Sequence, residues 1–146
     1  MIYFMYDQNT LLLKKIYRNS KTALDTLLLA SEKSTSFDFE NFLSKQQYKY
    51  YDIATDANMQ LRTLHELPDE MDLLSKIEYL AIVKIGTRNS SVGHLAEFLI
   101  EGCMGGVNEM IHEINSSKEI TPECLDLAHI LIETEQETIA TLQRFL

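Results

Sequence analysis

Apolar residues recur along this chain at helical spacing. Leu12, Ile16, Ala23, Leu27 and Ala30 share one side of a first segment, roughly residues 8 to 33, with the three-to-four-residue step of an amphipathic helix. Ser34-Thr35-Ser36 breaks the pattern with short polar side chains, and Ser36 suits an N-cap. Phe39, Leu43, Gln46, Tyr50, Ile53, Ala57, Gln60 and Leu64 then alternate steps of four and three, the seam of an antiparallel bundle, and predict a helix over about 37–65. A shorter segment, about 69–86, carries Met71, Leu74, Ile77 and Ala81 at helical steps. Its continuous apolar run from Tyr79 to Val83 would also suit a strand, but the helical context favours a helix. Gly86-Thr87-Arg88-Asn89-Ser90 reads as a turn. Val92, Leu95, Leu99, Cys103, Gly106, Val107, Met110 and Ile114 mark the next long helix, to about 116. The last runs from 122 to the end, with Cys124, Leu127, Leu131, Glu135, Ile139, Leu142 and Phe145 on one face. Both prolines, Pro68 and Pro122, are followed by acids and fit a first helical turn, where a missing N–H costs nothing and negative charge meets the positive end of the helix dipole.

Four long segments of roughly 25 to 29 residues, each about 40 Å at the helical rise, make an all-α fold and an antiparallel four-helix bundle the natural solution. The extra segment carries the chain back along the bundle before the third long helix, and 146 residues form a single domain, 1–146. Together with this order of elements, the run Gln46-xxx-Tyr50-xx-Ile53, the Gly-Cys-Met-Gly-Gly at 102–106 and the Glu133-Thr134-Glu135 near the end resemble small ferritin-like bundle proteins of Firmicutes bacteria. That resemblance implies a ferritin-like bundle with a crossover helix, and it brings no activity with it.

Composition narrows the function classes. Apolar residues make up 45% of the chain and charged residues 24%, with 5 Gly and 2 Pro, which describes a folded globule rather than a disordered or loop-rich scaffold. A net charge of -9 argues against nucleic acid and anionic membranes as partners, since both require an electropositive face. Two Cys cannot staple a secreted fold, no apolar run reaches the ~20 residues of a membrane span, and the opening Met-Ile-Tyr-Phe-Met-Tyr lacks the basic flank of a leader. A cytoplasmic location is expected. Charge is unevenly placed: residues 1–89 carry 11 basic and 12 acidic side chains, residues 90–146 carry 2 and 10. The apolar start, Met1 to Tyr6, and the apolar stretch 79–85 suggest a homodimer or another protein partner.

Two sets of polar residues invite chemistry. Glu109-xx-His112 and Asp126-xx-His129 have the spacing with which ferritin-like centres ligate paired metals, where carboxylates bridge two cations and imidazoles complete the coordination. At about 100° per residue, however, all four side chains point away from their apolar stripes, and the seams of the first two helices contain no Asp or Glu. A metal centre of the usual kind is therefore not expected. Iron or another divalent metal on Glu135, Glu109, His112, Asp126 and His129 is the alternative. Glu135 itself lies near the centre of an apolar face, where an unpaired carboxylate is costly. An antiparallel count sets it level with Cys103, Gln46, Tyr50 and Ser20, predicting a buried polar layer against the small residues Gly102, Cys103 and Gly106. Such a layer fixes register, as a buried Asn does in coiled coils, or lines a gap for water, a cation or a small ligand. Cys103 and Cys124 face inward at different heights, as small core residues that do not pair. Gly102 to Gly106 lies inside a helical pattern, so it is no phosphate loop, and no nucleophile elbow or Cys-His pairing is present. The leading expectation is thus a non-catalytic structural or interaction protein without cofactor, with metal binding and small-molecule binding as alternatives.

Overall fold

Every regular element is helical in the computed structural model, which describes the backbone of residues 2–69 and 71–146 and the side chains from residue 8 onward, Glu70 excepted. Helix α1 spans Ile2–Lys33, α2 Phe37–Thr63, α3 Leu73–Gly86, α4 Val92–Ser116 and α5 Pro122–Leu142, followed by a short 3-10 turn at Gln143–Phe145. No strand occurs among the described residues, so the apolar run at 79–83 is helical. The part of the expected dimer contact assigned to Met1 to Tyr6 falls outside the described side chains.

The caps explain the boundaries. Ser36 Oγ accepts from the Phe39 amide at 3.3 Å and Thr121 Oγ1 from the Cys124 amide at 3.4 Å, each satisfying one of the free N–H groups of a first turn. Helix α3 starts later than the expected 69, because Asp72 is its cap: Asp72 Oδ1 accepts from the Ser75 amide at 2.7 Å. Pro68 therefore sits in the connecting loop, which Lys14 ties to α1 through Asp69 at 3.3 Å and Glu66 at 3.8 Å. Helix α2 ends two residues before the expected 65. His65 takes the left-handed conformation (φ 59°), while its amide and that of Glu66 return to the Arg62 and Leu61 carbonyls at 2.9 Å. These two bonds satisfy carbonyls that the last turn would leave free.

The three-residue connection makes α1 and α2 an antiparallel hairpin, and the short turn before Pro122 does the same for α4 and α5. Side-chain pairs fix how the hairpins meet. Asn19 Nδ2 donates to the Gly106 carbonyl at 3.1 Å and Lys15 pairs with Glu113, so α1 and α4 run in opposite directions. Lys49 meets Glu137 at 3.3 Å and the Phe39 and Phe145 rings stand 5.1 Å apart, so α2 and α5 also run oppositely. Helices α2 and α4 consequently point the same way, and α3 carries the chain back between them. The core is built from the expected stripes, including Leu12, Ile16, Phe39, Leu43, Leu95, Met110, Leu127 and Leu131.

Helix α3 contributes little to that core. Val83 is buried, while Leu73, Leu74, Ile77, Leu80, Ile82 and Ile85 are exposed, Leu73 at 75% and Ile77 at 55%. Among the contacts that hold it, Tyr79 Oη lies 2.7 Å from Thr26 Oγ1 on α1, and Gly86 packs against the Phe98 ring of α4. A Cβ on Gly86 would stand 2.1 Å from that ring, so only glycine permits this approach.

Candidate functional site: a buried carboxyl beneath α3

A cavity of about 450 Å³ opens between α1, α3, α4 and the middle of α5. Helix α3 supplies its outer wall through Tyr79, Ile82 and Val83, and α1 contributes Ala23 and Leu27 among others. The α4 side is formed by Phe98, Leu99 and the small residues Gly102, Cys103 and Gly106. A single residue of α5, Glu135, lines the floor.

Glu135 is 1% exposed, and its Oε2 has no hydrogen-bond partner among the described residues. Its carboxyl group rests on Gly106, where a Cβ would fall 2.5 Å from Oε2 and 2.6 Å from Oε1. Glycine at 106 therefore makes room for the carboxyl group, while Gly102 and Gly105 have nothing within 4 Å of where a Cβ would be. Burial, reinforced by the negative charge of Glu109, raises the Glu135 pKa from 4.5 to about 8. A lone carboxylate in an apolar wall holds its proton near neutral pH for this reason.

The other expected members of the polar layer satisfy one another without Glu135. Tyr50 Oη donates to Thr138 Oγ1 at 3.3 Å, and Thr138 Oγ1 lies 3.0 Å from Gln46 Oε1 and 2.7 Å from the Thr134 carbonyl. Cys103 Sγ stands 3.8 Å from Tyr50 Oη, so the bonds run as a chain from thiol to phenol to hydroxyl to amide or carbonyl oxygen. Burial pushes the Cys103 thiol up to about 12 and the Tyr50 phenol well above its ordinary range, so both stay protonated. The expected joint layer is thus divided. Ser20 leaves it altogether, its hydroxyl returning to the Ile16 carbonyl at 2.7 Å and the Tyr17 carbonyl at 3.1 Å of its own helix. Thr138, the hub of the chain, was not singled out from sequence. It lies three residues from Glu135 on the same helix face, and that offset was the available signal.

Of the residues of the alternative metal reading, only Glu109 and Glu135 come to the same cavity. His112, Asp126 and His129 are exposed, and Glu109 stands at the cavity rim with its outer side in solvent, its pKa raised chiefly by desolvation. Among the described residues no three His, Cys, Asp or Glu side chains converge as a ligand set. Cys103 and Cys124 are both free and buried. No helix among the described residues is long and apolar enough to cross a membrane. In comparisons with known proteins, the chain matches no family model, no curated protein and no solved structure.

Proposed function

We propose that this chain is a small-molecule-binding module built on a ferritin-like bundle, with its ligand seated under α3 against Glu135. The observation that carries this reading is Glu135, a buried carboxyl group whose Oε2 has no partner among the described residues, in the lining of a cavity of about 450 Å³. Buried polar groups are ordinarily paired, and an orphan on a residue that lines a cavity of ligand size points to a partner from outside the chain. The direction of the long helices, one up, two down and one up with a return helix between, supports the ferritin-like topology. The chain from Gln46 to Cys103 retains the register role, because it is satisfied internally.

The test is a fragment screen by amide chemical-shift perturbation on the protein and on Gly102→Leu. Gly102 lines the cavity and nothing lies within 4 Å of where its Cβ would be, so a leucine there replaces a helix-interior glycine without a clash and is expected to narrow the cavity. Ligands that shift resonances of Ala23, Gly106 and Glu135 and lose affinity in Gly102→Leu support the reading. Binding unchanged by the narrowed cavity, or no perturbation in a screen spanning cationic, neutral and anionic fragments, would overturn it.

A second reading rests on the outward stripe of α3. Leu74, Ile77, Ala81 and Ile85 follow steps of three and four along the exposed side, opposite Tyr79 and Val83. Such a seam suits antiparallel pairing with α3 of a second copy. Sedimentation velocity across a concentration series checks it, with dimerisation expected for the protein and abolished in Ile77→Lys.

A further inference from the structure

The chemistry around Glu135 selects among ligand classes. A divalent cation needs several hard ligands at once, and the cavity offers one buried carboxyl group. Its volume, about 450 Å³, is far larger than a bare ion and falls in the range of sites for organic ligands. Most of the wall is apolar, with the Phe98 and Tyr79 rings on two sides and Leu27, Leu99 and Val83 between them. An anionic ligand is disfavoured by charge, because Glu101, Glu109 and Glu135 line the cavity against the single guanidinium of Arg18. What this arrangement complements is a body of aliphatic or aromatic carbon with one positive end.

We propose that the cavity binds an organic cation, a protonated amine carried on an apolar group, whose ammonium donates to Glu135 while its carbon body packs between Leu27, Phe98 and Val83. This rests on the small-molecule reading above. The buried carboxylate is worth most as a counter-ion in this low-dielectric setting, and the ammonium supplies the donor that Oε2 lacks. Helix α3 is the way in. It is held by the Tyr79–Thr26 hydrogen bond and the Gly86–Phe98 contact, with little of its apolar surface buried, so it lifts at small cost compared with any of the four long helices.

Binding of a cation requires Glu135 to be ionised, so the proton held in the free protein leaves on binding. Glu109 and Cys103 of α4 and Tyr50 of α2 interact electrostatically with Glu135, and Arg18 of α1 and Tyr79 of α3 line the same cavity. Cys103, Tyr50 and Tyr79 are all raised by burial and stay neutral, Glu109 is raised chiefly by desolvation, and Glu135 is the carboxyl group pushed up to about 8. Affinity should therefore rise about tenfold per pH unit between pH 6 and pH 7 and level off above about 8.

The experiment is calorimetric titration of the full chain with phenethylamine, its neutral analogue 2-phenylethanol and its anionic analogue phenylacetate, in phosphate and in Tris, from pH 6 to 8.5. Phenethylamine is expected to bind with release of close to one proton at pH 6, falling to about half a proton near pH 8. In Glu135→Gln, which keeps the shape and removes the charge, it should lose at least about tenfold in affinity together with its proton release and pH dependence. Equal binding of 2-phenylethanol without proton release would overturn the cationic assignment while leaving the cavity reading standing. Preferential binding of phenylacetate would do the same. Silence of all three probes, with the amide resonances around Ala23 and Gly106 unmoved, would sink the cavity reading along with this inference. Tight Mn²⁺ binding that phenethylamine does not displace, lost in Glu135→Gln, would also overturn it in favour of a metal.

Discussion

On the two sides of Cys103 the same bundle treats buried polar groups in opposite ways. Toward α2, the Tyr50 phenol, the Thr138 hydroxyl and the Gln46 side-chain oxygen are joined in a chain of hydrogen bonds. Toward α1 and α3, Glu135 lines a cavity, and its Oε2 has no partner among the described residues. Both sets are buried to a similar degree, so burial does not separate them; partnership does. A satisfied chain is explained by folding alone, since it offsets its own desolvation, whereas an unsatisfied carboxyl group costs stability that folding does not recover.

The sharpest way to break this contrast is pH. Glu135 has a folded pKa of about 8, above the ordinary 4.5, so the folded state holds the proton longer than the unfolded state. Its contribution is fully present below about 4.5 and is lost as pH rises through about 8. The protein should lose stability on the order of 3–4 kcal/mol relative to Glu135→Gln between pH 5 and pH 9, read from urea unfolding at each pH. Parallel pH profiles for the two proteins would place Glu135 in a solvated environment and remove the contrast.

Next in size, Thr138→Val should cost about 2–3 kcal/mol at every pH, because it removes the donor to the buried Gln46 oxygen and the acceptor of the Tyr50 phenol, which is left with the Cys103 thiol. The same urea titration checks it. A cost that varies with pH would mean that the Thr138 chain and Glu135 are one network.

The glycines sharpen the contrast further. Gly106→Ala places a methyl group 2.5 Å from Glu135 Oε2 and should destabilise by about 1–2 kcal/mol, relieved when combined with Glu135→Ala. Gly102→Ala enters open space and should stabilise by about 0.5–1 kcal/mol through helix propensity. Thermal unfolding of the three variants decides whether Gly106 is specifically the seat of the carboxyl group. Smallest of all, Leu80→Lys on the exposed side of α3 should change unfolding by less than about 0.5 kcal/mol at concentrations where the chain is monomeric.

Much of the fold was legible because periodicity is local. On α4 the expected stripe from Leu95 to Met110 is buried as anticipated, and on α2 Phe39, Leu43, Gln46, Tyr50, Ile53 and Ala57 all face inward. Toward the α2 C-terminus the buried position moves from the expected Gln60 and Leu64 to Leu61, because straight helices drift from a seven-residue repeat. The start of α3 was less legible, since Pro68 with Asp69 and Asp72 with its following turn are both acceptable beginnings, and only the Asp72–Ser75 bond separates them. Of the candidate site, Glu135, Cys103 and Gly106 follow from an antiparallel count, and Glu135 stands out as a charge on an apolar stripe. Whether its neighbours would pair with it depended on rotations of a fraction of a turn that a residue count does not resolve.

The sequence by itself determined that the chain is helical, where its long helices lie, which faces they bury, and that a carboxyl group would be carried into the core, because each of these depends on spacing within one segment. The tertiary structure decided that Thr138 rather than Glu135 would complete the Gln46–Tyr50 chain, that Ser20 would turn back on its own helix, and that α3 would stand off far enough to leave a cavity. Those outcomes depend on the relative rotation and separation of helices distant in sequence, where a shift of a few ångströms turns a hydrogen bond into an open space.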